Sequence, residues 1–240
     1  MKKIFKKDSG FTLIEILLGF LIFSIILVVL YSTFFSGMKI EERSAGDAAT
    51  YNQAKMSLDM IGHELEEAVP FNFENFDPGL KAFEGSSLKI SFLVKEKNGL
   101  RHVSYYLKER DKTKIRQTLI GQHYTKNVAA TNITGEETQV LCLMRSDEAF
   151  VDFVSDAADS SVNEEVLFDN VRPDSFKISY AYLESENENA HLVWKNTWDK
   201  EYIPSGIRFE FALESFKKGD PLINIKKDVY IPTGFWGEAS

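Results

Sequence analysis

The chain has 240 residues, of which 44% are hydrophobic and 27% charged, and its formal net charge is −8. This length accommodates one domain of ordinary size with an appendage, and the apolar fraction suffices for a packed core. An acidic surface repels phosphate backbones, so the composition argues against a nucleic-acid-binding protein. Cys142 is the single cysteine, which excludes an intrachain disulfide, and its apolar neighbours predict a buried thiol.

The chain begins with a basic leader followed by a long apolar run. The first ten residues carry a net charge of +3, which leaves about −11 for the rest of the chain. From Ile16 to Phe35 there are 20 residues without a charge, and a helix of that length spans roughly 30 Å, one bilayer core. The sequence therefore predicts one membrane-spanning helix with its basic flank on the cytoplasmic side.

The junction between the leader and the apolar run carries the most specific pattern. The basic leader ends at Gly10, Phe11 opens the apolar stretch, and Glu15 lies four residues further on. This pattern resembles the processing site of type IV pilins and type II secretion pseudopilins. The resemblance implies that a prepilin peptidase cuts between Gly10 and Phe11 and methylates the new amino terminus of Phe11.

Glu15 is an unusual residue for a membrane helix. A carboxylate costs on the order of 2.5–3.5 kcal/mol at mid-bilayer and less near the interface, so it needs a partner. The family resemblance implies that this glutamate meets the free amino terminus of a neighbouring subunit and sets the register between helices. Physical reasoning alone leaves open a hydrated carboxylate at the membrane edge.

A second apolar pattern predicts that the helix continues beyond the membrane. Its members recur at spacings of three and four residues, which is one face of an amphipathic helix. They are Ala54, Leu58, Ile61, Leu65 and Ala68. Pro70 ends this helix. We expect a leader at 1–10, a transmembrane and assembly-core helix at 11–35, an amphipathic helix at 36–69 and a β-rich head at 70–240.

After Pro70 the apolar period changes from 3.6 to 2, which indicates β-strands. Strands are predicted at 88–94, 103–107, 114–120, 140–144, 176–182 and 207–213, with two short final strands at 223–225 and 229–231. Asn98-Gly99 predicts a hairpin turn between the first two. The predicted class is α+β, a pilin-like fold in which a long amino-terminal helix packs against antiparallel sheets.

The segment from Thr131 to Glu165 is rich in acidic and small polar residues and is predicted to be an elaborated loop around the 140–144 strand. Its carboxylates raise the alternative of a calcium site, since hard cations take several carboxylate oxygens. The spacing is not that of an EF-hand, and acidic loop residues are usually solvated, so no metal is assigned.

The later part of the head resembles one branch of the family, the minor pseudopilins of the J kind. Four segments carry this resemblance: Val166–Val171, the tyrosine-bearing strand Phe176–Leu183, Trp194–Trp198 and Ile203–Phe209. Trp194 and Trp198 are expected to fill the core beside the sheet. The alternative is that one of them is an exposed anchor for a neighbouring subunit.

The resemblance implies a minor pseudopilin at the tip of a type II secretion pseudopilus, which primes assembly and supports the export of folded proteins. Implied partners are pseudopilins of the I and K kinds, the prepilin peptidase and an inner-membrane assembly platform. The implied location is the bacterial inner membrane, with the amino terminus cytoplasmic and the head periplasmic. Two alternatives remain: a minor type IV pilus subunit, and a membrane-anchored periplasmic enzyme or binding domain.

Known catalytic and metal-binding motifs do not occur in the sequence. His63-Glu64 lacks the second histidine of a His-Glu-x-x-His site, and the remaining histidines are scattered. The sequence contains neither a nucleophile elbow nor a phosphate-cradling glycine loop. We therefore expect a protein that is not an enzyme and that uses no cofactor.

Overall fold

The computed structural model describes residues 12–73, 79–97, 99–111, 139–155, 162–172, 174–186, 189–215 and 220–234. By compactness the chain divides into two units, Met1–Gly46 and Asp47–Ser240. The first unit contains the apolar part of the first helix. The second contains the rest of that helix and all the strands described.

Two helices are present within the described residues. The helix α1 comprises Leu13–Glu66, and the short helix α2 comprises Phe150–Ser155. The predicted apolar face is confirmed, because Ala54, Leu58, Ile61, Leu65 and Ala68 are all buried in the core of the second unit.

In the part of the chain that the structure describes, nine strands form two antiparallel sheets. The five-stranded sheet is a meander of β1 (Phe83–Gly85), β2 (Lys89–Glu96), β3 (Gly99–Asp111), β4 (Gln139–Ala149) and β5 (Asn163–Phe168). The four-stranded sheet has the order β7 (Asn189–Lys195), β6 (Lys177–Glu186), β8 (Gly206–Leu213) and β9 (Ile223–Tyr230).

One apolar core joins α1 and both sheets. Phe92 and Tyr105 from the first sheet and Tyr180 and Phe209 from the second belong to it, together with Leu58 of α1. Backbone hydrogen bonds also join β1 to the segment after β7. The N–H of Gly85 donates to the carbonyl of Trp198 at 3.1 Å, and the N–H of Trp198 donates to the carbonyl of Gly85 at 2.7 Å. This confirms the α+β prediction of antiparallel sheets over a long amino-terminal helix.

Two details of the strand prediction are wrong. The two short final strands are one continuous strand, β9, because its central charged residues have partners on each face: Lys226 pairs with Glu210 and Lys227 with Asp59. The strand predicted at 140–144 within the loop region 131–165 is confirmed as the longer β4, but α2 and the first residues of β5 also lie in this region, which was predicted to be loop. The predicted strand at 114–120 lies outside the described residues.

Cys142 is buried, as its apolar neighbours predicted. It lies on β4 in a small cluster with Met144 and Val166. Burial raises the pKa of its thiol to about 12, which keeps it protonated and unreactive at neutral pH.

Candidate membrane-insertion and assembly site

A reciprocal hydrogen-bond pair caps the start of α1. The backbone N–H and the hydroxyl of Thr12 both donate to Oε2 of Glu15 at 3.1 Å, and the N–H of Glu15 donates to Oγ1 of Thr12 at 3.4 Å. This is a capping box, in which the residue before the helix and the third helical residue satisfy each other's backbone donors. The negative charge also lies at the positive end of the helix dipole.

The capping box leaves half of the carboxylate available. Both contacts from Thr12 go to Oε2, and Oε1 of Glu15 makes no hydrogen bond within the described residues. The geometry therefore fixes the side chain through one oxygen and leaves the other able to accept a donor from outside the chain. Gly10 and Phe11, the predicted processing site, lie outside the described residues.

The helix after Glu15 is long and apolar enough to cross a membrane, with a mean hydropathy of 3.0 in its most apolar window and none of that window buried. Three of its hydroxyl groups have partners within the helix. Ser24, Thr33 and Ser36 donate to backbone carbonyls four residues earlier at 2.8–2.9 Å. Polar groups in hydrocarbon require such internal partners, so the described segment has the chemistry of a membrane span.

The two tryptophans have different environments. Trp198 is 3% exposed and its indole N–H donates to the carbonyl of Tyr202 at 2.7 Å. Trp194 lies on β7, half-buried, with the guanidinium of Arg208 4.0 Å from its ring centroid. Trp198 therefore fills the core, whereas Trp194 lies on the outer face of the four-stranded sheet beneath a cation.

The acidic residues proposed for calcium are not gathered into a metal site within the described part of the chain, where no group of three potential ligands occurs. Glu164 receives hydrogen bonds from Lys108 and Arg110 at 2.8 Å and from Tyr106 at 2.5 Å. The hydrogen bond from Lys108 is the largest cause of the lowered pKa of Glu164. Asp156 and Asp159 lie outside the described residues.

Sequence reasoning missed two features of these sites. The capping box was visible as Thr-x-x-Glu at the start of an apolar run, a recognised helix-start signal. The second feature is a buried ionic group that joins α1 to the first sheet. Glu64 accepts hydrogen bonds from the hydroxyl of Tyr105 and from Nη2 of Arg145, the latter at 2.8 Å, and this pairing across 81 residues leaves no local sequence signal.

Comparison with known families gives one match. Residues 5–31 match the prokaryotic N-terminal methylation motif, the signal found in type IV prepilins and pseudopilins. The match begins within the leader and continues through the capping box and most of the apolar run. Comparison with curated proteins finds no match.

The motif and the fold together support a type IV pilin-like protein. The chain has a prepilin-type signal, one membrane-capable helix within the described residues and a head in which the continuation of that helix packs against antiparallel sheets. The motif implies processing by a prepilin peptidase and assembly with other pilin-type subunits.

Proposed function

We propose that this chain is a minor pseudopilin of a type II secretion system, which inserts in the inner membrane and joins the tip of a periplasmic pseudopilus. The observation that supports this best is the methylation motif at residues 5–31, which leads directly into α1 with Glu15 in its first turn. The resemblance of the later head segments to pseudopilins of the J kind supports the choice of secretion over a surface pilus.

In this proposal the chain is cut between Gly10 and Phe11, and Phe11 becomes the methylated amino terminus. The chain supplies three things to the assembly: an apolar helix for bundling, a carboxylate for register and a folded head whose surface selects neighbours. No chemical reaction is required of it.

The fixed direction of the Glu15 carboxylate supports a register-setting role for this residue. Thr12 holds Oε2, so the carboxylate has a fixed direction, and Oε1 is able to accept the amino group of a neighbouring subunit. Pairing of opposite charges offsets the free-energy cost of keeping a carboxylate in an apolar bundle.

The processing step is tested by mass spectrometry of the amino terminus of protein recovered from membranes. We expect a chain that begins at Phe11 and carries one added methyl group. An intact Met1, or cleavage at any other bond, would contradict the pilin-type assignment. Loss of exoprotein secretion on deletion of the gene, with twitching and adhesion unchanged, would separate the secretion role from that of a type IV pilus subunit.

The register-setting role is tested with Glu15→Gln and Thr12→Val. Glu15→Gln removes the charge, so we expect processing and membrane insertion to persist while incorporation into fibres is lost. Thr12→Val removes the hydroxyl partner of Oε2 and weakens the cap by about 1 kcal/mol, so we expect reduced incorporation that Thr12→Ser restores. Normal assembly of Glu15→Gln would contradict the role of Glu15 without affecting the processing result.

A further inference from the structure

Strand β9 forms one edge of the four-stranded sheet and is eight residues long, without proline. Its other side pairs with β8 in continuous antiparallel register from Gly206↔Tyr230 to Leu213↔Ile223. Long regular edges present unpaired backbone groups that are able to bind another strand.

The hydrogen-bond pattern shows which backbone groups face the open edge. Ile231 N–H donates to Ser205 O, so pairs in the same phase, such as Val229 with Ile207, are the hydrogen-bonded ones. The alternate residues of β9 direct their N–H and C=O groups away from β8. These are Asn224, Lys226 and Asp228, whose backbone groups have no partner within the described residues.

Ala212 provides an independent check on this phase. It lies opposite Asn224 in the register. Its N–H donates to Oγ of Ser175 at 3.0 Å rather than to β9, and its carbonyl accepts a hydrogen bond from the N–H of Arg172 at 2.9 Å. Both groups of Ala212 therefore point away from β9, as the assigned alternation requires.

An open cavity of about 350 Å³ lies between this edge and α1. Its lining includes the carboxylates of Asp59, Glu66 and Asp228 and the ammonium of Lys227, so its formal charge is negative with His63 counted as neutral. Tyr230, which is 58% exposed, also lines it and adds the kind of aromatic anchor that is common at interfaces.

The lysines of β9 do not reverse this charge. Lysine on an edge strand often protects it from indiscriminate pairing. Here Lys226 lies 3.2 Å from Glu210 and Lys227 lies 2.8 Å from Asp59, so each already has a carboxylate partner. Within the part of the chain that the structure describes, the ion-pair partner of Glu66 is the imidazole of His63, at 3.9 Å, and its carboxylate is 55% exposed.

We propose that the free edge of β9 binds an extended, basic segment of another protein, which adds to the four-stranded sheet as a fifth strand. Backbone groups of Asn224, Lys226 and Asp228 supply the pairing. Asp59 is already paired with Lys227 and Asp228 with Arg208, so Glu66 is the carboxylate that selects lysine or arginine. This docking site belongs to the folded head and does not depend on the proposed role in secretion.

The test is selection of a random eight-residue peptide library on the full-length chain in nanodiscs. We expect enriched peptides to be basic. Lys226→Pro removes the outward N–H without touching the ladder to β8, and affinity should fall about fivefold or more, the effect of at least one lost hydrogen bond. Lys226→Ala is the matched control, because it loses the same side chain and keeps the N–H, and its affinity should stay near that of the wild type.

Two further arms separate charge from backbone pairing. Glu66→Gln should lower the affinity for the enriched peptides by about threefold at low salt. Asp152→Asn, on α2 over the other sheet, should leave this affinity unchanged. Peptides methylated on alternate backbone nitrogens should not bind, and this arm leaves the protein unaltered if Lys226→Pro fails to fold.

Three results would overturn the proposal: no enrichment, enrichment of acidic or purely apolar peptides, or binding that is indifferent both to Lys226→Pro and to backbone methylation. Self-association of the chain that Lys226→Pro abolishes would assign the edge to a second copy instead.

Discussion

Gly62 and Gly85 respond oppositely to one added methyl group. A Cβ on Gly62, in α1, would lie 3.6 Å from Val229, an ordinary contact. A Cβ on Gly85 would lie 2.3 Å from Cζ of Tyr180, whose hydroxyl donates to the carbonyl of Ser86. We expect Gly62→Ala to stabilise the head by about 0.5–1 kcal/mol through helix propensity, and Gly85→Ala to destabilise it by about 1–3 kcal/mol through overpacking.

Urea unfolding of both variants measures this difference. Each variant adds one methyl group to a glycine. The comparison therefore shows how the space around each glycine changes the free energy of unfolding. A stabilising Gly85→Ala would contradict the packing described at Gly85, and a destabilising Gly62→Ala would contradict the space described at Gly62.

His102 makes the head sensitive to pH. Its ring stacks on Phe153 and its Nδ1 lies 2.8 Å from Glu148. Burial lowers the pKa of His102 below its ordinary value of 6.5, and Glu148 opposes this shift only in part. Above pH 6.5 the imidazole is neutral in the folded and unfolded states. As the pH falls below 6.5, the unfolded state binds a proton that the folded state does not, so stability decreases.

We expect the free energy of unfolding of the wild-type protein to decrease from pH 7.5 to 5.5, and His102→Gln to remove this slope. Urea unfolding at several pH values checks it, with His191→Gln, which changes a half-exposed side chain, as the control. Glu164 and Asp228 also have lowered pKa values, but their ordinary values of 4.5 and 3.8 place their contribution below this window. An unchanged slope in His102→Gln would contradict the assignment.

At the scale of elements, α1 is held to the five-stranded sheet by charge as well as by apolar packing. Arg145 on β4 donates to Glu64 of α1 and lies 3.1 Å from Asp147, which is 3% exposed. Loss of Arg145 leaves the partly buried Glu64 without its cation, whereas Asp147 keeps Arg101 as a partner. We expect Arg145→Met to cost about 3 kcal/mol and the exposed-pair variant Lys226→Met to cost less than about 1 kcal/mol.

The comparison is made by urea unfolding at neutral pH. Addition of Glu64→Gln to Arg145→Met should restore part of the loss, since it removes the carboxylate that Arg145→Met leaves unpaired. If Arg145→Met costs no more than Lys226→Met, the ionic group does not hold the helix to the sheet.

The elements that sequence predicted are those with a strong local period. An apolar period of 3.6 predicts the buried face of α1 from Ala54 to Leu65. An apolar period of 2 predicts the hairpin strands β2 and β3. Strand β9 was split in two because Lys226, Lys227 and Asp228 interrupt its apolar pattern, and their partners Glu210 and Asp59 are distant in sequence. The pairing of Glu64 with Arg145 was hidden for the same reason.

The candidate site likewise has features that a local sequence pattern predicts and features that depend on residues distant in sequence. Glu15 was identified from its position after Gly10 and Phe11, because a carboxylate in an apolar run is conspicuous. The hydrogen bond between Glu15 and Thr12 is equally local in sequence, but it was not predicted. The phase of the β9 edge was beyond prediction, since it depends on the register with β8.

At the scale of the whole molecule, the second unit contains the elements needed for an independent core. The α1 residues within it bury Leu58, Ile61 and Leu65 almost completely against the sheets. Burial of each such side chain contributes about 1.5–3 kcal/mol, and their sum is comparable with the whole stability of an ordinary domain, roughly 5–15 kcal/mol.

A fragment comprising 47–240 should therefore fold cooperatively without the membrane helix, and a fragment comprising 70–240 should not fold, although it retains every described strand. Urea unfolding followed by tryptophan fluorescence distinguishes them, because Trp198 becomes exposed when the core opens. The two fragments differ only in residues 47–69, so the comparison measures what this part of the helix contributes to the head. A cooperative transition in 70–240 would mean that the sheets form their core without the helix. If 47–240 showed no cooperative transition, the head would need residues of the first unit in order to fold.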